Sequence, residues 1–250
     1  MHRGRIFPRI ADLKRLEGEA GLTDDQRHGR IFGVLFIITF LTSIPAYLIF
    51  ESVLDDPAGF IGGDGGMGWL YFAILLEFFL VLSNVGTGVA LYPIARRQNE
   101  ALAIGYVAAR IIESVFIAVG IIFVLGLVTM RLDGLGTADM ATLLYELKDW
   151  TFLLGPGLIV PFGNGLILGY LMYRSGLVPR RMAWLGLIGG PILFFSNLGV
   201  LFDWWEMSTV MILVLPEAIW ELFLGIYCAI WGFRRNSPIV RPNWRGNAAA

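Results

Sequence analysis

The chain has 250 residues, of which 56% are hydrophobic and 16% charged, with a formal net charge of -1. Soluble domains carry about 25% charged residues, so this composition excludes an ordinary soluble fold and points to an integral membrane protein. The single cysteine, Cys228, excludes an internal disulfide and any multi-cysteine metal centre.

In chain order, a leader of residues 1–30 comes first. Pro8 opens a short amphipathic pattern in which Ile10, Leu13 and Leu16 fall at helical spacing beside Arg9, Lys14 and Arg15. This pattern suits a helix on the inner leaflet or a solvated basic leader. Thr23-Asp24-Asp25-Gln26 has the form of a capping box, which starts a helix running into the first apolar stretch.

Six apolar segments follow, at 31–50, 69–95, 101–128, 150–173, 182–202 and 210–233. Each reaches the roughly 20 residues that a helix needs to cross a bilayer. The first has spanning length behind a charged leader, so it reads as an uncleaved anchor. The glycine-rich loop of residues 59–68 lacks the lysine and the strand-to-helix setting of a phosphate-binding loop, which leaves a flexible connector. After the third segment, Thr137 is placed to cap a helix whose Met140, Leu143, Leu144 and Leu147 form one apolar face. That helix is expected to rest on the outer membrane surface.

The fourth segment carries Gly155-Pro156-Gly157, Pro161 and Gly163-Asn164-Gly165. Proline removes a backbone donor and glycine loosens the helix, so a kinked or partly unwound span is expected. The pairs Gly165 with Gly169 and Gly186 with Gly190 have the spacing that lets membrane helices approach closely. Pro238, Pro242, four arginines and terminal alanines make residues 234–250 a basic tail of disordered composition.

Charge asymmetry sets the orientation. Arginine and lysine concentrate in the leader, after the second and fourth segments (Arg96, Arg97, Arg174, Arg180, Arg181) and in the tail, whereas the opposite loops hold only Arg131 and Lys148. The expected fold is therefore an all-α, polytopic six-helix bundle with both termini in the cytoplasm. It divides into the leader (1–30), the membrane domain (31–233) and the tail (234–250).

Five ionisable residues fall inside the apolar segments: Glu77, Arg110, Glu113, Glu217 and Glu221. An ionisable group within a span is costly, and it marks a functional site unless a structural partner explains it. At ~1.5 Å per residue, Arg110, Asn164, Asn84, Glu113 and Glu221 fall about 14 to 18 Å from the cytoplasmic end. Asn197, Glu217 and Glu77 lie farther out, at roughly 22 to 27 Å. Arg110 and Glu113 share a helix face, as do Glu217 and Glu221. One arginine neutralises one carboxylate, so the others must be protonated, solvated or cation-bound.

Both histidines, His2 and His28, precede the first segment, and no lysine falls within the six. Intramembrane haem, a histidine-based zinc hydrolase, a Ser-His protease site and a Schiff-base lysine therefore lack their parts. No cofactor, metal site or catalytic residue is expected.

Several stretches together resemble an uncharacterised bacterial family of multi-pass membrane proteins, domain of unknown function 4386. They are Arg110-Ile111-Ile112-Glu113, the run from Asp149 to Gly157, the run from Leu168 to Arg180, and Pro216-Glu217 with Glu221. The resemblance implies six spans and singles out Arg110, Glu113 and Glu221, but implies no reaction. The residues favour a small proton- or cation-coupled transporter in the bacterial inner membrane, with Arg110, Glu113, Glu221, Glu217, Asn164, Asn84 and Glu77 as candidate ion- or solute-binding groups. The alternative is a non-catalytic scaffold or regulatory subunit in which these residues form a salt-bridge network. An enzyme ranks last, and the expected partners are the bilayer and a small solute or proton, not nucleic acid.

Overall fold

The computed structural model describes residues 23–240 of the chain. The amphipathic leader pattern at Ile10 to Leu16 and the end of the tail lie outside these residues. Within them the elements are all helical: α1 (Asp24–Val53), α2 (Pro57–Gly62), α3 (Met67–Ala95), α4 (Glu100–Asp133), α5 (Ala138–Phe152), two π-helical segments (Leu153–Ile159 and Pro161–Leu168), α6 (Gly169–Ser175), α7 (Arg180–Leu201), α8 (Met207–Leu213) and α9 (Leu215–Trp231).

Five stretches are long and apolar enough to cross a membrane: α1, α3, α4, the continuous run Ala138–Ser175, and α7. The protein is a multi-pass membrane protein. The sixth expected span is a correction, because residues 210–233 do not form one helix but break between α8 and α9. Pro216 sits in the first turn of α9, where it has no N–H to give, and a proline ring inside a helix also crowds the carbonyl four residues back. The 17 residues of α9 measure about 26 Å, just short of the ~30 Å hydrocarbon core.

The helix starts follow the side chains. At α1 the Thr23 hydroxyl accepts from the Gln26 N–H (3.3 Å) while Gln26 Oε1 accepts from the Thr23 N–H (3.4 Å), completing the expected capping box. Thr137 caps α5 through the Met140 N–H at 3.4 Å.

α5 is not a separate surface helix. It runs without a loop into the π-helical segments and α6, and it buries Ala141, Lys148 and Thr151. A Cβ built on Gly120 of α4 lies 2.7 Å from Thr151 Oγ1, a measure of how closely the two helices pack. Lys148 is thus inside a candidate span, against the expectation of no lysine there.

The glycine-rich loop is also more ordered than its composition suggests. Asp56 caps α2 through the Gly59 N–H at 3.0 Å. Arg131 donates to the carbonyls of Gly63 (2.7 Å) and Asp64 (2.5 Å) and lies over the Phe60 ring at 4.7 Å.

At the other end of the bundle, Arg97 donates to both carboxylate oxygens of Asp25 (2.6 and 2.9 Å) and to the Ile239 carbonyl (3.0 Å). The start of the tail is tied down here, because the Arg234 N–H bonds to the Leu177 carbonyl and the Ser237 hydroxyl to the Ser175 carbonyl, both inside 3 Å. Residues 234–240 therefore fold back over the α6–α7 turn, where composition alone suggested disorder.

Close approach of small residues holds the helices together. A Cβ on Gly165 would lie 2.5 Å from the Gly190 Cα, and one on Gly190 would lie 2.7 Å from the Pro161 carbonyl, so the second π-helical segment and α7 meet backbone to backbone. α1 and α9 meet in the same way: a Cβ on Gly33 would collide with the Ala229 nitrogen and come within 2.8 Å of the Cys228 Cβ. Cys228 is fully buried by this contact.

Candidate functional site

The fourth membrane crossing shapes the site. Pro156 and Pro161 each remove a backbone donor, and five glycines between 155 and 169 offer little side-chain packing, so the turns widen into two π-helical segments. π-type distortions inside α-helices frequently mark functional positions. This one brings Asn164 into the core, 1% exposed, and lets α4 and α7 press against glycines: Ala109 at Gly163, Phe116 at Gly155 and Asn197 at Gly157.

Two polar groups meet there. In the first, Arg110 Nη1 donates to Glu113 Oε2 at 2.6 Å, its Nη2 to Asn84 Oδ1, and its Nε to the Asn84 carbonyl at 3.4 Å. Asn84 Nδ2 in turn donates to Glu113 Oε1 at 2.9 Å. The three side chains from α3 and α4 form a closed ring in which the charges are paired and hydrogen-bonded. The guanidinium also lies 5.7 Å from the centre of the Phe36 ring of α1. Thr87 extends this group, giving its hydroxyl proton to the Asn84 carbonyl (2.6 Å) and accepting from the Tyr106 hydroxyl (3.3 Å).

In the second group, Asn164 Nδ2 donates to Glu221 Oε1 at 2.5 Å and the Asn164 carbonyl accepts from Trp220 Nε1 at 2.9 Å. That carbonyl belongs to the π-helical stretch, so the indole ties α9 to the distorted backbone. Glu221 therefore bonds to the distorted helix while lying within the electrostatic reach of Arg110 and Glu113. Of the five residues expected at one depth, Arg110, Glu113 and Asn84 form one hydrogen-bonded group and Asn164 and Glu221 another.

Glu217, one turn along α9 from Glu221, is 1% exposed, and neither carboxylate oxygen has a hydrogen-bond partner. Asn164 Oδ1 is buried without a partner as well. Glu77 does not join the layer. It lies elsewhere on α3 with one buried oxygen unpartnered, and the charge acting on it is that of Lys148. Lys148 is 6% exposed, and its ammonium sits 4.5 Å from the centre of the Phe50 ring. Sequence reading missed Lys148 because it stands between Leu147 and Asp149 in a stretch assigned to a loop. It also missed Thr87, Tyr106 and Trp220, whose single polar atoms leave no mark in an apolar run. No group of three or more His, Cys, Asp or Glu side chains among the described residues is gathered to hold a metal ion.

No curated protein and no solved structure matches the chain. A family model described as "Domain of unknown function (DUF4386)" matches residues 31–232, which takes in every helix of the layer. The chain belongs to the DUF4386 family.

Proposed function

We propose that the protein is a small proton- or cation-coupled transporter of the bacterial inner membrane. In this reading α8 and α9 together form a sixth, broken crossing, and the end where Arg97 joins the start of α1 to Ile239 faces the cytoplasm. The observation that carries the proposal is the imbalance of charge beside a distorted helix. Glu113 is paired with Arg110, whereas the surplus carboxylates lie against the π-helical segment, Glu221 bonded to Asn164 and Glu217 against Gly165. Interrupted spans near the membrane midplane recur at the binding sites of transporters, where the backbone freed from helical bonding faces the bound solute or ion. Arg110, held by Asn84 and Glu113, supplies the fixed positive charge.

The scaffold reading has one observation in its favour, the closed ring of Arg110, Glu113 and Asn84, which needs no ligand to be satisfied. Glu221→Gln separates the two. Purified wild type and variant are reconstituted in proteoliposomes with an internal pH dye and challenged with panels of small organic anions, amines and sugars, while thermal stability is measured in detergent. A coupled transporter loses solute-dependent proton movement in the variant and stays folded. A scaffold shows no solute-dependent movement in the wild type, and its variant chiefly loses stability.

A further inference from the structure

The wall around Glu217 is unlike that around the other buried carboxylates. A Cβ built on Gly165 lies 3.2 Å from Glu217 Oε2, and one on Gly189 lies 3.1 Å from the same oxygen and 2.8 Å from the Glu217 nitrogen. The carboxyl group thus occupies a notch that exists because two glycines, one on the π-helical segment and one on α7, have no side chain. Glu113 takes bonds from Arg110 and Asn84, and Glu221 takes one from Asn164. Glu217 takes none. A fully buried, ionised carboxylate without a donor is too costly to keep, so this position requires a ligand that removes the charge.

We propose that Glu217 is the proton-binding residue of the transport cycle, a role that rests on the transporter reading above. The chemistry is a single protonation: a proton delivered through water bonds to one carboxylate oxygen, converting the anion to the neutral acid, and no other bond breaks. A proton fits the notch better than a metal cation does. Hard cations such as calcium gather about six to eight oxygens, whereas the glycine walls are already in contact, with the Gly165 Cβ position 2.5 Å from the Gly190 Cα.

The charges around Glu217 are few. Glu221 on its own helix acts on it, and Arg110 of α4 acts in turn on Glu221. α1 meets α9 through Gly33 and Ile37, α7 offers Gly186 and Gly189, and the π-helical segment offers Gly165, all uncharged. Release of the proton then requires water to reach the notch, and solute movement and proton movement are coupled through that access.

Infrared difference spectroscopy on the full chain in lipid, between roughly pH 5 and roughly pH 9, tests this without a substrate. The expected result is a carboxylic C=O band in the wild type that disappears in Glu217→Gln and persists in Glu113→Gln. A band that survives in Glu217→Gln overturns the proposal, and so does a wild type whose band is suppressed by sodium at constant pH, which marks a cation site. A second measurement does not depend on the variant folding. The wild type is treated with dicyclohexylcarbodiimide, which modifies buried protonated carboxyls, and mapped by mass spectrometry. An adduct on Glu217 supports the assignment, and adducts confined to other carboxyls overturn it. Since neither readout involves flux, failure of the transporter reading appears separately, in the proteoliposomes.

Discussion

Arg110 shows how a charge is kept inside an apolar bundle. Its guanidinium has Glu113 and Asn84 as partners and the face of Phe36 alongside. Removing one partner of a buried pair leaves the other charge uncompensated, at roughly 3–5 kcal/mol in soluble proteins. Glu113→Ala is expected to destabilise the protein by about that amount, measured by denaturant unfolding in mixed micelles. Asn84→Ala is expected to cost about 1–3 kcal/mol, because it strips hydrogen bonds from both charges and leaves the charge pair in place. Equal effects for the two variants would mean that the ring acts through Asn84 rather than through its charges.

The elements show which parts of this arrangement the sequence carries in readable form. The distortion of the fourth crossing is legible because Pro156, Pro161 and their glycines act locally, through missing donors and missing side chains. Pro216 gives the same signal in the last apolar segment, yet apolar length outweighed it, and the break between α8 and α9 was lost. The continuity of α5 with the following span was hidden by Glu146, Lys148 and Asp149, which resemble a loop until packing against α4 and Phe50 accounts for the lysine. The grouping of Asn164 with Glu221 depends on a helix path that no spacing rule specifies. Spacing did foresee that Gly165 and Gly190 serve close packing, though not that they face one another. Gly190→Ala is expected to push the π-helical segment off α7, since the added methyl would lie 2.7 Å from the Pro161 carbonyl. Overpacking of this kind costs typically about 1–3 kcal/mol, so the melting temperature in detergent should fall. An unchanged melting temperature would show that the two backbones do not meet there.

On the scale of the whole molecule, the bundle ends are tied differently. One end is gathered by Arg97, which joins the start of α1 at Asp25 to the returning tail at Ile239, and the other by Arg131 wrapped in the carbonyls of the glycine-rich loop. Arg97→Ala is expected to free the tail, and limited proteolysis of the purified protein should then cut within residues 234–240 faster than in the wild type. An unchanged rate would mean that the Arg234 N–H and Ser237 hydroxyl contacts hold the tail alone. Between these ends lies the buried layer on which the proposed transport path rests.

Cys228, sealed against Gly33, is a poor reporter of that path. Ser114, buried next to Glu113 with its hydroxyl on the Val81 carbonyl at 3.4 Å, is a better one. The most direct measurement is the labelling of Ser114→Cys, in a Cys228→Ala background, by a membrane-impermeant thiol reagent in right-side-out and inside-out vesicles. A transport path predicts labelling in folded protein from at least one side, slowed by Glu221→Gln. Labelling that occurs only after denaturation, from both sides and in both backgrounds, would contradict the account and leave a sealed structural network.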